Sequence, residues 1–181
     1  MTLFSYNNFL NDEELNDVHR IINESKWSYS GSDLFLNRDD IAAVTIWNMP
    51  LDHHIEWKEY MKKKIEDVSK KKFTLLKCYA VGQTKDLDGV FHTDDNREGS
   101  YTFLMYVNDI GDNGTIPSVY VGGETEIISR DGKLFKSSPD LKKGILFDAR
   151  LLHRGRAPIQ RNKLRISVVF KLKEVKTFNH V

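Results

Sequence analysis

Hydrophobic residues recur at helical spacing in two segments of the first part of the chain. In the first segment they are Leu15, Val18, Ile21 and Ile22, and in the second they are Ile55, Met61, Ile65 and Val68. Such spacing is typical of an amphipathic helix. The first pattern predicts a helix that begins at the N-cap Asn11, with Glu14 completing a capping box, and ends near Ser25. The second pattern predicts a helix that is capped by Asp52.

From residue 73 onward, short β-prone runs alternate with turn residues. They predict strands at residues 73–81, 101–107, 124–129, 133–136, 145–148, 151–153 and 164–172, in addition to 27–29 and 41–47 earlier in the chain. Two helices followed by many short strands predict an α+β fold. The simplest arrangement is a double-stranded β-helix (jelly roll) with the N-terminal helices packed outside. We expect a single domain over residues 1–181, with a helical N-terminal part (1–72) and a jelly-roll core (73–172).

The composition narrows the range of partners. The formal net charge is +1, which provides no overall field for nucleic acid or an acidic membrane. Seven lysines between Lys58 and Lys72 alternate with acidic residues, so a solvated helix face is a better interpretation than a nucleic-acid surface. No apolar run reaches the roughly 20 residues that span a bilayer, and the first residues do not resemble a signal peptide. With Cys78 as the single cysteine, we expect a cytoplasmic protein without membrane contact.

His92 and Asp94 lie two residues apart, and His153 follows far downstream. Residues i and i+2 of a strand point to the same side, so His92 and Asp94 could hold one metal ion together. With His153 as the third ligand, they would form the two-histidine, one-carboxylate triad that binds non-haem Fe(II) and leaves coordination positions open. The alternative is a surface aspartate with two buried, hydrogen-bonded histidines. The tripeptide alone occurs often by chance, so the surrounding segments have to supply the context.

Between about residues 77 and 172, an ordered series of short segments resembles the Fe(II)/2-oxoglutarate-dependent dioxygenases of the prolyl-4-hydroxylase-like group. The segments are residues 79–82, 92–94, 102–109, 122–125, 143–148, 153–155 and 165–167. Each segment alone is weak evidence, but their order and spacing are specific together. The resemblance implies that His92, Asp94 and His153 bind Fe(II), that 2-oxoglutarate and O2 are cosubstrates, and that ascorbate is a further candidate cofactor.

The distal carboxylate of 2-oxoglutarate requires a cation, best provided by a guanidinium. Arg165 and Ser167 share one face of the last strand. Burial of an arginine is costly unless an anion pairs with it, and a carboxylate ligand between Arg165 and Ser167 would remove that cost. The alternative is a solvated face, since Lys171 lies on it as well. Lys163 is a rival anchor, because Arg165 lies farther beyond His153 than the basic residue of the family usually does. Lys163 and Arg165 would face the same side of a strand, so their orientation does not decide between them. Arg165 is preferred because Arg-x-Ser begins the strand.

The resemblance also assigns roles to residues of two other strands. Thr102, Leu104 and Tyr106 alternate on one face, which lines the 2-oxoglutarate pocket in the resembled family. Tyr106 would hydrogen-bond the distal carboxylate, and Leu104 would pack on the carbon chain. Tyr79 would lie near the iron. For both tyrosines, the alternative is core packing with a satisfied hydroxyl.

The resemblance implies a reaction in which 2-oxoglutarate is oxidatively decarboxylated to succinate and CO2 while a C–H bond is hydroxylated. The first candidate substrate is a prolyl residue of a peptide or protein. Another amino acid, a small molecule or a nucleobase is the alternative, and a non-catalytic jelly-roll binding module is the alternative outside the enzymes. The loops at residues 83–89, 95–100 and 111–122 are expected to border the mouth and to select the substrate.

Overall fold

Two helices and ten strands are formed by the residues that this computed structural model describes, which are 3–31, 45–111 and 122–175. The helices are α1 (Asp12–Glu24) and α2 (Ile55–Ser69). The strands are β1 (Leu3–Tyr6), β2 (Ser28–Gly31), β3 (Thr45–Pro50), β4 (Phe73–Thr84), β5 (Ser100–Tyr106), β6 (Thr125–Ile128), β7 (Leu134–Ser137), β8 (Gly144–Asp148), β9 (Leu152–Gly155) and β10 (Leu164–Glu174). The strands β6 and β7 pair in antiparallel orientation and form a hairpin.

The strands form two antiparallel sheets. The larger sheet has the order β1-β8-β5-β10-β4-β3-β2, and the smaller sheet has the order β7-β6-β9. His92 extends the smaller sheet through a bridge to His153 on β9. The architecture is a jelly roll with two helices packed outside, so the predicted fold class is confirmed. Strands β1, β2 and β3 come from the N-terminal part of the chain, where strands were predicted at residues 27–29 and 41–47, and they complete the larger sheet.

Alternation along the strands gives the larger sheet two apolar faces. The outer face packs against the helices, in a cluster that includes Phe103, Met105, Val168 and Phe170 from the sheet and Val18, Ile21, Met61 and Ile65 from the helices. The inner face meets the smaller sheet, in a cluster that includes Leu104, Tyr106, Val169 and Ile127. The helices therefore cover one face, and the space between the sheets is left for the site described below.

Asn11 caps α1 as predicted. Its side chain accepts the Glu14 N–H at 2.8 Å, and the Glu14 carboxylate accepts the Asn11 N–H at 2.7 Å. The predicted cap of the second helix is wrong, because α2 has His54 at its N-cap. Asp52 instead accepts the Cys78 N–H at 2.9 Å. This bond ties the segment before α2 to β4.

Two strands extend beyond their predicted ends. β4 continues past Gly82 to Thr84, and β10 continues to Glu174, because the two strands pair along their whole length. This long-range pairing outweighs the local turn signal of Gly82. The strand predicted at residues 41–47 lies partly outside the described residues, and β3 covers Thr45–Pro50.

Carboxylates pair with several lysines on and around α2. The pairs are Lys62 with Glu59 (3.2 Å), Lys64 with Glu14 (2.5 Å) and Lys72 with Glu66 (3.2 Å). Because these charges are already neutralised in part, the segment fits the solvated helix face better than a nucleic-acid surface. Within the described ranges, no helix is both long enough and apolar enough to cross a bilayer.

Candidate metal centre

The three predicted metal ligands converge in the described structure. His92, Asp94 and His153 each offer a ligand atom within 4.8 Å of the other two. His92 Nε2 lies 3.4 Å from Asp94 Oδ1, and His153 Nε2 lies 3.2 Å from Asp94 Oδ2. The backbone explains this convergence, because His92 and His153 exchange N–H···O bonds of 3.0 and 2.9 Å, and the Asp94 N–H donates to the Ala149 carbonyl at 2.9 Å.

Each imidazole is oriented by the carbonyl two residues before it. His92 Nδ1 lies 2.9 Å from the Val90 oxygen, and His153 Nδ1 lies 2.9 Å from the Leu151 oxygen. Since a carbonyl oxygen only accepts hydrogen bonds, both Nδ1 atoms must carry the hydrogen. In the neutral imidazoles, Nε2 then presents a lone pair toward Asp94. Both rings are therefore held in the tautomer and orientation that metal binding requires.

Asp94 cannot satisfy these lone pairs, because a carboxylate also only accepts. Its side chain is 1% exposed, and its Oδ1 has no hydrogen-bond partner among the described residues. Thr102 Oγ1 donates to the other oxygen, Oδ2, at 2.5 Å, and the Lys171 ammonium contacts that oxygen too. A divalent cation shared by Oδ1 and the two Nε2 atoms would satisfy all three acceptors. Two imidazoles and one carboxylate suit Fe(II), so the residues fit this metal.

The charges around Asp94 keep it ionised. Burial alone would raise the pKa of the Asp94 carboxyl, but the Lys171 ammonium holds that pKa well below its usual range. Burial alone would also lower the pKa of Lys171, but Tyr79 and Asp94 raise it above the ordinary value. Asp94 is therefore an anion at neutral pH, as a metal ligand has to be.

A cavity of about 490 Å³ lies beside the triad and is lined by it. Four of the residues that β10 contributes alternate along its inward face: Arg165, Ser167, Val169 and Lys171. Of the other residues predicted for the pocket, Tyr79, Thr102 and Leu104 also line the cavity. Of the loops predicted at the mouth, the segment 95–100 contributes Asp95, Arg97 and Ser100, whereas residues 112–121 lie outside the described structure. The volume suits a small ligand.

Arg165 is a buried cation in the wall of this cavity, with 3% of its surface exposed. Its Nε donates to the Gly123 carbonyl at 2.7 Å, and its Nη2 donates to Thr125 Oγ1 at 2.9 Å. Its Nη1 donates to Gln83 Oε1 at 2.8 Å and to Ser167 Oγ at 3.2 Å. All of these acceptors are neutral, and burial lowers the pKa of Arg165. Within the described parts of the chain, no carboxylate forms an ion pair with this guanidinium.

Lys163, the rival anchor, is not among the residues that line the cavity, and its Nζ lies 3.3 Å from the Gly111 oxygen. Tyr106 is not among the residues that line the cavity either, and its contact with the distal carboxylate stays a prediction. Its hydroxyl donates to Thr125 Oγ1 at 2.7 Å, and its ring centroid lies 5.2 Å from the Arg165 guanidinium. Tyr106 therefore contacts both Arg165 and Thr125, and Thr125 lines the cavity.

The sequence did not predict a functional role for Gln83, Thr125 or Lys171, which line the cavity. Gln83 was expected in a loop but is buried in β4, where Nε2 donates to the Gly155 carbonyl at 3.0 Å and Oε1 supports Arg165. Thr125 lies on β6, and Lys171 lies on β10. Lys171 shares a strand face with Arg165, and this shared face could have predicted its position in the cavity. It was instead interpreted as a sign that the face is solvated. Gln83 and Thr125 had no such signal, because their strands meet Arg165 only through tertiary pairing.

No protein-family model and no curated protein sequence matches the chain. Solved structures match it over nearly its whole length. A prolyl hydroxylase from Trichoplax adhaerens, in complex with a hypoxia inducible factor oxygen degradation domain peptide fragment, has a TM-score of 0.70 at 16% identity, covering 95% of this chain and 83% of that chain. A 2OG-Fe(II) oxygenase family oxidoreductase from Burkholderia pseudomallei has a TM-score of 0.69 at 13% identity, covering 94% and 84%. The chain has the fold of the Fe(II)/2-oxoglutarate oxygenases.

The structures that share this oxygenase fold differ in their small-molecule or peptide partners. HygX from Streptomyces hygroscopicus, solved with nickel, 2-oxoglutarate and hygromycin B, has a TM-score of 0.65 at 12% identity and covers 94% of this chain and 82% of that chain. It has hygromycin B bound, whereas the Trichoplax enzyme is in complex with a peptide fragment. The shared fold is therefore compatible with more than one class of substrate.

Proposed function

We propose that this protein is an Fe(II)- and 2-oxoglutarate-dependent dioxygenase that hydroxylates a C–H bond. One observation carries the proposal: the buried Asp94 Oδ1 has no hydrogen-bond partner among the described residues, and two imidazole Nε2 lone pairs surround it. A metal cation would satisfy all three acceptors. His92, Asp94 and His153 would hold Fe(II), which when bound supplies the activation of O2 and the oxidative decarboxylation of 2-oxoglutarate.

Arg165 and Ser167 would bind the distal carboxylate of 2-oxoglutarate. A buried guanidinium whose described partners are all neutral is costly, and a carboxylate in the cavity would offset that cost. The cavity position of Arg165 favours it over Lys163. Leu104 would pack on the carbon chain of the cosubstrate.

Tyr79 and Thr102 would act on the metal side of the cavity. Thr102 already donates to Asp94 Oδ2, which leaves Oδ1 as the oxygen for the metal. Tyr106 would act on the opposite side, by holding Arg165 and Thr125 in place. We propose that residues 1–181 act as one oxygenase domain of the cytoplasm.

The proposed substrate is a prolyl residue of a peptide or protein. The ordered series of prolyl-4-hydroxylase-like segments supports this choice, as does the peptide complex of the Trichoplax structure. A small molecule is the second candidate, which the hygromycin complex of HygX favours. Another amino acid or a nucleobase is a candidate substrate that we rank after these two. We place a non-catalytic binding module last, because the acceptors around Asp94 fit a metal ion and the buried Arg165 fits a carboxylate cosubstrate.

The first experiment measures succinate formation from 2-oxoglutarate, with Fe(II), O2 and ascorbate supplied and then withheld one at a time. We expect slow uncoupled turnover by the wild-type protein that requires Fe(II), and none by His92→Ala, because the variant lacks one of three ligands. Omission of ascorbate tests whether succinate formation depends on ascorbate. If the wild-type protein neither binds nor converts 2-oxoglutarate in the presence of Fe(II), the proposal is refuted. Binding of both without succinate would indicate the non-catalytic module.

The second experiment identifies the substrate class. Proline-containing peptides, free amino acids, aminoglycosides and nucleotides are incubated with the loaded protein, and the products are analysed by mass spectrometry. We expect a peptide to gain the mass of one oxygen atom and to accelerate succinate formation. Peptides in which alanine replaces proline are the matched control. Equal oxidation of those peptides would contradict the prolyl assignment and leave the oxygenase assignment intact.

A further inference from the structure

Lys171 is a cavity residue to which the proposed function gives no role. Its side chain is 15% exposed, and its ammonium contacts Asp94 Oδ2, the oxygen that also accepts from Thr102. The same ammonium lies 3.4 Å from Thr102 Oγ1 and 5.7 Å from the Tyr79 ring centroid. A primary amine is therefore fixed against the carboxylate that would bind the metal.

The position of Lys171 is costly for a cation. Lys171 on β10 pairs directly with Lys77 on β4, and like charges at opposed strand positions repel each other. Both ammonium groups lie over the ring of Tyr79, at 5.7 and 5.4 Å from its centroid. Burial adds a desolvation cost. Among the described residues, Asp94 is the carboxylate that forms an ion pair with Lys171, so this contact offsets these costs.

A bound metal would change this balance. A divalent cation at Asp94 would interact with the same carboxylate that now neutralises Lys171. The cation would also lie close to the ammonium, and the two positive charges would repel each other. Metal binding alone would therefore meet electrostatic opposition from Lys171. An anion that joins the metal would remove that opposition, because it would offer the ammonium a new partner.

Strand β10 places two cations on the wall of the cavity. Arg165 and Lys171 lie on the same inward face, and Ser167 and Val169 lie between them. A β-bulge follows immediately, between Lys171 and Leu172. Bulges of this kind re-aim side chains beside functional sites. If Arg165 binds one carboxylate of 2-oxoglutarate, Lys171 lies on the metal side, near the other.

We propose that Lys171 is a positioning residue that couples metal binding to cosubstrate binding, an inference that rests on the proposed function. Lys171 neutralises Asp94 while the metal is absent and opposes the metal when it binds alone. When 2-oxoglutarate joins the metal, the ammonium donates to the carboxylate of its keto-acid end. Each of the two ligands then strengthens the binding of the other, as reciprocity between coupled sites demands.

The test is calorimetric titration of Mn(II), a redox-inert probe, without and with 2-oxoglutarate, for the wild-type protein and Lys171→Met. In the wild-type protein, 2-oxoglutarate should tighten Mn(II) binding strongly. In Lys171→Met, Mn(II) alone should bind more tightly, and the affinity for 2-oxoglutarate should fall by on the order of ten-fold, the worth of one charged hydrogen bond. The coupling between the two ligands should shrink accordingly.

Three control variants separate charge from packing. Lys77→Met removes the other amine that lies over the Tyr79 ring. Among the described residues, the Lys77 amine forms no ion pair with Asp94, so this variant should retain the wild-type coupling. Lys171→Arg keeps the positive charge and should retain most of the coupling. Thr102→Val removes a neutral donor from the same Asp94 oxygen, so it should not make Mn(II) alone bind more tightly than in the wild-type protein. Thermal unfolding of each variant reports whether it folds.

The outcomes distinguish the two proposals. If the wild-type protein binds neither Mn(II) nor 2-oxoglutarate, the oxygenase proposal fails and this inference fails with it. If the wild-type protein binds both, but Lys171→Met shows the same coupling, only the role of Lys171 is refuted. If Lys171→Arg behaves like Lys171→Met, the positive charge is not responsible and the inference is again refuted.

Discussion

Replacing Arg165 by Met tests the cosubstrate site most directly. Arg165 is buried, donates to four neutral acceptors, and forms no ion pair with a carboxylate among the described residues. Methionine has a similar length and no charge, so the variant removes the cation while filling most of its volume. We expect the variant to lose its response to 2-oxoglutarate and to retain Mn(II) binding, because the metal ligands are untouched.

The magnitude follows from the hydrogen bonds that the guanidinium would form with a carboxylate. Two charged hydrogen bonds worth about 1.5 kcal/mol each give about 3 kcal/mol, or roughly a 150-fold loss of affinity. At a 2-oxoglutarate concentration of about 100 times the wild-type Kd, the ligand stabilises the wild-type protein by about 2.7 kcal/mol. For a chain of this size, that corresponds to a rise in Tm of roughly 5–11 °C. In Arg165→Met the same concentration should raise Tm by only about 1 °C.

The assay is thermal denaturation in Mn(II), with and without 2-oxoglutarate, so that each variant is compared with its own ligand-free Tm. Lys163→Met is the matched control, because it removes a cation two residues away on the same strand parity. Lys163 is not among the cavity-lining residues, so this control should show the full wild-type shift. A full shift in Arg165→Met together with a lost shift in Lys163→Met would refute our reasoning and make Lys163 the anchor.

Three further predictions concern the support of Arg165 and the stability of the fold. Gly155→Ala places a Cβ 2.6 Å from Gln83 Oε1, so calorimetry should show 2-oxoglutarate affinity reduced by on the order of ten-fold through the displaced Arg165 partner. Glu66→Gln should lower the free energy of unfolding by about 1 kcal/mol at neutral pH in urea denaturation. Burial would raise the pKa of Glu66, but the Phe73 N–H and nearby lysines lower it. This contribution is therefore present above the ordinary pKa of about 4.3 and is lost as the pH falls through the lowered value. Asn11→Ala should cost about 1 kcal/mol in the same assay, because it removes the capping box.

Each of these three predictions has a control or a contradicting result. Unchanged 2-oxoglutarate affinity in Gly155→Ala would show that Gln83 does not position Arg165. Glu59→Gln, on the same helix but half exposed, should change stability little at any pH. A stability difference between wild type and Glu66→Gln that persists at strongly acidic pH would contradict the lowered pKa. Asn7→Ala, at an exposed position outside the helix, is the control for Asn11.

Local rules were sufficient for much of this protein. The helical spacing of Leu15, Val18 and Ile21, with the Asn11 cap, predicted α1 to within a residue at its end. Strand alternation put Arg165 and Ser167 on one face, and the structure lines the cavity with both. These features depend on contacts within a few residues, so the sequence alone contains their causes. Asp52 misled the same rules, because its carboxylate binds the Cys78 N–H on a distant strand.

The site itself depends on contacts between distant segments. His92 and His153 meet through a backbone bridge, and no local pattern states that these segments are neighbours. Gln83 and Thr125 reach Arg165 because β4 and β6 approach β10 in the folded sheets. The ionic partner of Lys171 on β10 is Asp94, which lies in a loop far away in the sequence. The sequence by itself therefore determined the types of side chain and the faces on which they lie. The tertiary structure decided which buried charges meet, because long-range strand pairing sets those distances.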